Sequence, residues 1–403
     1  MTAAILGTRD LGGDLRPEPG EPAWIPAERA WSVSRYADVE RLLRSPSVQV
    51  IEMHPRVERL GTGGGRDYSS LSSLLAATLF YRNPPFHADG RRFLLQTMAV
   101  LKDALTEPAV RRIARSIVAD VCERGRAEAM REICIRMPLA VMIAALGLSP
   151  ATGEAIAASG ERIIGAWLPA LPMRTLDLLQ AEACAIERLI EEDMRSAASD
   201  GTAGLAFMMQ LNADAFGFAP REIAGFAFFL VFAAVETTSA FMGAALHLIH
   251  AHPEVEARLR AEPALLPSAL AEVLRLAGPA RRVNGRVLQA DLTLGRRSFE
   301  AGTVLVAELE RANRDPAVFA DPARFDIDRR GPPSFGFGIG AHACIGAALA
   351  RLESRVLMET IFASARVELV DPSPRWQIHS GFRRLERLDM ILTPIPERRP
   401  TQA

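Results

Sequence analysis

Between Ile223 and Ala251 the chain carries a single formally charged residue, Glu236. The stretch is long enough to cross a bilayer. A carboxylate near the centre of a span is costly in lipid, however, and no cluster of basic residues flanks either side. Pro220 before the run and Pro253 after it mark helix ends. The pattern therefore predicts a long helix buried inside a protein that has no membrane span, so the rest of the chain must cover it. With 403 residues, 49% of them apolar, there is enough chain to do so. That length suits two or three domains or one large one. A formal net charge of −1 argues against a general role in binding nucleic acid or acidic lipid.

Residues 1–22 are rich in Gly, Pro and charge and contain no apolar core of the signal-peptide or anchor kind, so they read as a flexible N-terminal segment. Cys122, Cys134, Cys184 and Cys344 show neither CxxC spacing nor a His at zinc-finger intervals. The first three read as core fillers in helices, and a reducing cytoplasm fits. A short strand at Trp31–Val33 should precede a helix carrying Val39, Leu42 and Leu43. Gly61 to Arg66 reads as a loop, and a helical stretch is expected around Arg91 to Leu105. From Glu107 to Asp200 apolar residues recur at three- and four-residue intervals, the helical period. After a helix at about Pro267–Leu276, Arg282 to Val306 changes to short alternating segments that suggest small β-hairpins. A last helix should begin at about Ile345. With no internal repeat and no separating linker, residues 23–403 read as one mainly α domain with small β-sheets.

The most informative stretch is Ser334-Phe335-Gly336-Phe337-Gly338-Ile339-Gly340-Ala341-His342-Ala343-Cys344-Ile345-Gly346. Glycines here let the backbone curl closely and point amides toward the cysteine. A helix starting just after Cys344 would place its positive end near the sulfur and lower the thiol pKa. Such a thiolate can be a nucleophile or a metal ligand.

This stretch resembles the cysteine loop of the cytochrome P-450 family at Phe337, Gly338, Gly340, His342, Cys344 and Gly346, continuing into Ala350-Arg351-Leu352-Glu353. The resemblance can be followed over nearly the whole chain. It implies the P-450 fold, with haem buried between the long distal helix and the cysteine loop and Cys344 as the proximal ligand of its iron. It makes Ala233-Ala234-Val235-Glu236-Thr237-Thr238 the segment over the distal haem face, where Glu236 and Thr237 help deliver protons to dioxygen. Ala234 stands where the family most often has Gly. Buried hydroxyls and a carboxylate in an apolar helix need partners. A local break in the helix with ordered water would supply them; a Thr bonded to its own i−4 carbonyl is the plainer alternative. Glu272 and Arg275 resemble the family's ExxR pair, which is structural, and their i, i+3 spacing puts them on one helix face. His87 and Arg91, also on one face, resemble with Arg286 and His342 the family's propionate-binding residues. Asn83 stands where the family usually has Asp, a departure expected to cost a turn contact. The haem contacts implied are thus His87, Arg91, Ala233, Arg286, Phe337, Gly338, His342, Cys344 and Gly346. By position the substrate pocket draws on the loop Asp67–Tyr81, on Phe229 and Ala233, on Pro279–Asn284 including Val283 and Asn284, and on His379–Phe382. Arg281, Arg282 and Asn284 hint at a polar or anionic substrate group.

The function implied is a haem-thiolate monooxygenase that inserts one oxygen atom from O2 into a small natural-product or lipid-like molecule. Its cofactor is haem b, and NAD(P)H serves it indirectly through separate redox partners, a ferredoxin and its reductase. The chain has no room for a fused flavin or ferredoxin domain and no cysteine spacing for an iron–sulfur cluster. Arg329, Arg330 and Arg351 are candidates for the docking charge. The protein is expected to be a cytoplasmic monomer. The same iron could instead serve ring closure, coupling or peroxide-driven oxidation, and a haem-based sensor is the non-enzymatic rival. The substrate and its site of attack cannot be read from the sequence.

Overall fold

Pro220 opens the longest helix, which runs unbroken to His250. Proline suits this first turn because its missing N–H would have no partner there. The Glu222 carboxylate, one turn in, accepts the Ala219 N–H at 2.8 Å and closes the helix start. Its most apolar window is 78% buried by the rest of the chain, so its hydrophobicity is that of a core helix. The computed structural model describes residues 19–101, 105–167, 171–200, 203–379 and 381–396. Residues 1–18, most of the expected N-terminal segment, lie outside that set.

The long helix is covered by Ser69–Ala76, Arg136–Leu146, Pro150–Ile164, Met173–Asp200, Leu266–Ala277 and Ala347–Ser364, all of which pack on it. Their apolar faces and those of Glu107–Arg124 merge into one large hydrophobic cluster around Phe226, Phe228, Phe241 and Leu246. A smaller cluster lies against a five-stranded sheet in the order Ala23–Ile25, Ala30–Val33, Val304–Ala307, Val283–Leu288, Val48–Val50. Its Ala30–Val33 and Val304–Ala307 strands are parallel and the other pairs antiparallel. A two-stranded unit of Trp376–His379 and Phe382–Leu385 reaches the long helix from another side.

The fold is mainly helical with small sheets, as the sequence pattern predicts. It differs at three places. Gly61 to Arg66 is not all loop: the helix His54–Gly64 runs through it and ends only at Gly65, at φ 63°. Glycine lowers helix propensity, yet Gly61 is buried under Tyr68, and that packing outweighs the local preference. The helix placed at Arg91 to Leu105 spans Phe86–Val100. The segment 67–81, read as a loop, contains the helix Ser69–Ala76, whose Leu71, Leu74 and Leu75 are buried.

Candidate functional site

The cysteine loop is fixed by its own backbone. The Phe335 N–H donates to Asn313 Oδ1 at 2.7 Å, which ties the loop to the turn after Ala312. Gly338 and Gly340 have φ of 63° and 76°, and a Cβ on Gly340 would lie 2.1 Å from the Leu43 carbonyl oxygen. Only glycine fits there. The Cys344 N–H then donates to Phe337 O at 2.9 Å, and Arg91 Nη1 donates to Ala343 O at 2.7 Å. The helix Ala347–Ser364 follows.

Cys344 is accessible because it faces a cavity, while protein surrounds it on its other sides. Burial pushes its thiol above the ordinary value; the Gly346 backbone N–H and the charges of Arg91 and Arg351 pull the other way without prevailing. The expected lowering by the helix end is therefore corrected: desolvation wins. A coordinating metal would remove the proton outright.

The cavity measures about 720 Å³. The distal helix supplies the wall that carries Phe229, Ala233, Ala234, Glu236, Thr237 and Phe241. Thr237 Oγ1 donates to Ala233 O at 2.8 Å in an unbroken helix, so the i−4 carbonyl, and not a break in the helix, is its partner. Its hydroxyl proton is committed, but the oxygen keeps acceptor capacity toward the cavity. Burial pushes the Glu236 carboxyl up to about 7, Arg384 lowers it and Glu161 raises it. Glu236 Oε2 accepts from Arg384 Nη1 at 3.2 Å.

A third boundary is cationic. His87, Arg91, Arg286 and His342 all line the cavity, and the His87 and His342 rings lie 4.1 Å apart. His342 Nδ1 is buried and has no hydrogen-bond partner among the described residues. Its pKa is pushed down to about 3, first by burial and then by the charges of Arg286, His87 and Arg91. Burial and the same two arginines lower His87 as well, which favours its neutral form. Arg286 is pushed down to about 10 by burial, against the attraction of Tyr81. Buried cations around an open space are arranged for an anion.

Glu272 and Arg275 are both buried and form a bidentate pair, with both contacts at 2.7 Å. Arg275 also donates to the carbonyls of Asn313, Pro322 and Arg324. Arg329 Nε reaches Glu272 at 2.9 Å, and its remaining donors meet backbone carbonyls of Ala320, Asp321 and Arg324. Arg329 is thus spent on the core and unsuited to docking a partner, contrary to its expected role.

Of the expected substrate residues, Phe229, Ala233 and Val283 line the cavity; the side chain of Asn284 lies outside the described residues. From 67–81 only Leu79, Phe80 and Tyr81 reach it. Arg281 turns away and pairs with Glu310 at 2.7 Å, while Arg282 lines the cavity and pairs with Glu28. Asn83 costs nothing as a departure: its Oδ1 accepts from Val50 N and its Nδ2 donates to Val50 O, both at 2.9 Å. An aspartate could not donate the second bond.

Sequence reasoning missed Arg384 and Glu161, which meet Glu236 only through tertiary packing. It named Glu353 only as the end of a motif; the residue is fully buried, lines the cavity, has both oxygens unpartnered among the described residues and is pushed up to about 8 by burial. Its burial and lack of a partner depend on packing from other segments and leave no local sequence signal.

The family model for cytochrome P450 matches residues 180–392. Cytochrome P450 105A3 of Streptomyces carbophilus is 27% identical over 90% of this chain and 85% of its own length. The mycinamicin IV hydroxylase/epoxidase of Micromonospora griseorubida is 27% identical over 90% of this chain and 87% of its own. Among solved structures, the cytochrome P450 CYP109Q5 from Chondromyces apiculatus is 25% identical and superposes with a TM-score of 0.72 over 93% of both chains. P450BioI, in a complex with a fatty-acyl carrier protein, shares the fold at a TM-score of 0.80 over 93% of this chain and 94% of its own. The chain belongs to the cytochrome P450 family. It is an oxidoreductase, a haem monooxygenase that uses O2, an organic substrate and electrons from NAD(P)H passed through redox partners.

The residues present fit haem b. The cavity lining has a thiol, small residues on the long helix, the cations Arg91 and Arg286, and a neutral histidine, His342, whose Nδ1 has no partner among the described residues. A flat, metal-centred ring with two carboxylates matches that donor set.

Proposed function

We propose that Cys344 ligates the haem iron, that His87, Arg91, Arg286 and His342 hold the two propionates, and that Glu236 and Thr237 manage protons on the distal side. Ala233, Phe337, Gly338 and Gly346 complete the haem contacts. The observation that carries this reading is that one cavity has Cys344 in one wall, Glu236 and Thr237 in the distal wall and the cations at its edge. Haem bound there supplies activation of dioxygen with two electrons and transfer of one oxygen atom to the substrate. The chain's own part is to position and to move protons. A carboxyl near 7 takes and gives protons with equal ease at neutral pH, which suits Glu236 to relay them from outside. Thr237, held by Ala233 O, offers a fixed oxygen to a water or ligand in the cavity. Phe80, Phe229, Leu230 and Phe232 keep that space apolar, so the substrate is a largely apolar natural-product or lipid-like molecule resting against Phe229, Ala233 and Val283. The relatives named as a mycinamicin hydroxylase/epoxidase and a cyclomarin C epoxidase support that class.

Electrons arrive from a ferredoxin and its reductase, with exposed Arg330 and Arg351 offering charge on the cysteine side. The protein works as a cytoplasmic monomer, with residues 23–403 as one domain. The test is spectroscopic and kinetic. The reduced carbon monoxide complex should show the long-wavelength band of thiolate ligation, and Cys344→Ser should lose it. Thr237→Val should keep the band but form less product per reduced nicotinamide consumed, since acid–base assistance is worth about 10²–10⁴ in rate. A wild-type protein without the band sinks the reading of Cys344; full coupling in Thr237→Val sinks that of Thr237.

A further inference from the structure

Arg384 stands on the strand Phe382–Leu385 and is half-buried in the cavity wall. Its guanidinium has three partners from three elements. Nη1 meets Glu236 Oε2 of the distal helix at 3.2 Å, and Nη2 meets Glu161 Oε2 of the Pro150–Ile164 helix at 2.9 Å. Nε donates to Gln377 Oε1 of the neighbouring strand at 3.0 Å, which fixes the fork in place. Pro150–Ile164 packs on the distal helix, and Glu161, near its end, lines the cavity beside Glu236.

The charged groups that act on Glu236 are these two, one of each sign. Arg162, beside Glu161 in the cavity lining, is turned to Glu182 at 2.9 Å and to Ser159 at 3.1 Å. Gln377 and the hydroxyls of Thr237 and Thr238 are neutral. The carboxylates of Glu236 and Glu161 therefore share one cation.

We propose that Arg384 is a positioning residue that sets the charge state of Glu236 by dividing its guanidinium between Glu236 and Glu161. Glu161 takes part of the guanidinium and adds its own repulsion, so Glu236 holds a proton readily. Without that second carboxylate, Arg384 would belong to Glu236 alone and the carboxylate form would be favoured. This rests on the reading of Glu236 as the proton-relaying group.

Infrared titration of the haem-loaded protein between about pH 5 and 9, a range spanning the value near 7, reads the protonated carboxyl directly. The Glu236 band is the one that Glu236→Gln removes, which separates it from Glu353. Arg384→Gln should move its midpoint to higher pH and Glu161→Gln to lower pH, each by about one unit, the scale of a neighbouring charge. Arg384→Lys, which keeps the charge, should return most of the first shift. Coupling of electrons to product, measured over the same range, should follow the band in each variant. Midpoints that stay put, or that move the same way in both neutral variants, overturn the proposal and leave Arg384 a strut. A Glu236→Gln protein whose coupling keeps the wild-type pH profile overturns the parent reading instead, whatever the band does.

Discussion

Glu353 carries both carboxyl oxygens into the interior with no partner among the described residues, and burial alone raises it to about 8. Its folded-state value lies above the unfolded one, so the stability it permits is fully present below about pH 4.5 and is lost as pH rises toward 8. Glu353→Gln keeps the shape and cannot ionise. It should therefore change stability little at pH 5 and raise it at pH 8, by on the order of 4 kcal/mol from the size of the shift. Urea midpoints at the two pH values measure this, and an equal difference at both would show that Glu353 is not held neutral. Other single residues are subtler than their type suggests. Thr237 takes the common i−4 bond, and what sets it apart is only that its oxygen lines a cavity. Cys344 was legible from its glycines, but the direction of its thiol shift was not, because desolvation depends on every neighbour at once.

At the scale of elements, the helix Leu266–Ala277 ties the long helix to segments far along the chain. Its Glu272–Arg275 pair holds the turns after Asn313, Pro322 and Arg324 through backbone carbonyls. Removing one partner strands the other charge in the interior, a loss of about 3–5 kcal/mol for a buried pair. Glu272→Ala and Arg275→Ala should each give little folded, haem-loaded protein. Normal yield and haem content from either would contradict that role. The i, i+3 spacing was visible in the sequence, whereas the carbonyls come from segments far along the chain and left no pattern. A second buried group, Arg281, Arg314 and Arg383 around Glu310, shows the same limit: its members lie on three separate segments. Long helices were read well because their apolar period repeats over many residues. The short helices His54–Gly64 and Ser69–Ala76 were lost among Gly and Ser, whose local preference the packing overrides.

For the whole molecule, the cavity is where the two hydrophobic clusters meet. Leu309 of the sheet-side cluster and Phe229 of the helical one both line it, so neither can open without exposing the haem site. Loss of haem absorbance and loss of helical circular dichroism should therefore fall on one curve as denaturant rises; two separated transitions would divide 23–403 into independent domains. The sequence by itself determined the family, the mainly helical fold, the long core helix and the cysteine on its loop. Each of these is written in short-range terms: periodicity, glycine spacing and a run of residues with one charge. Only the tertiary structure decided which carboxylate faces which arginine, which cations line the cavity and which were spent on the core. It also decided that Glu236, Arg384 and Glu161 form one unit. Those outcomes depend on distance and burial between segments up to hundreds of residues apart, and neither quantity has a local trace in the chain.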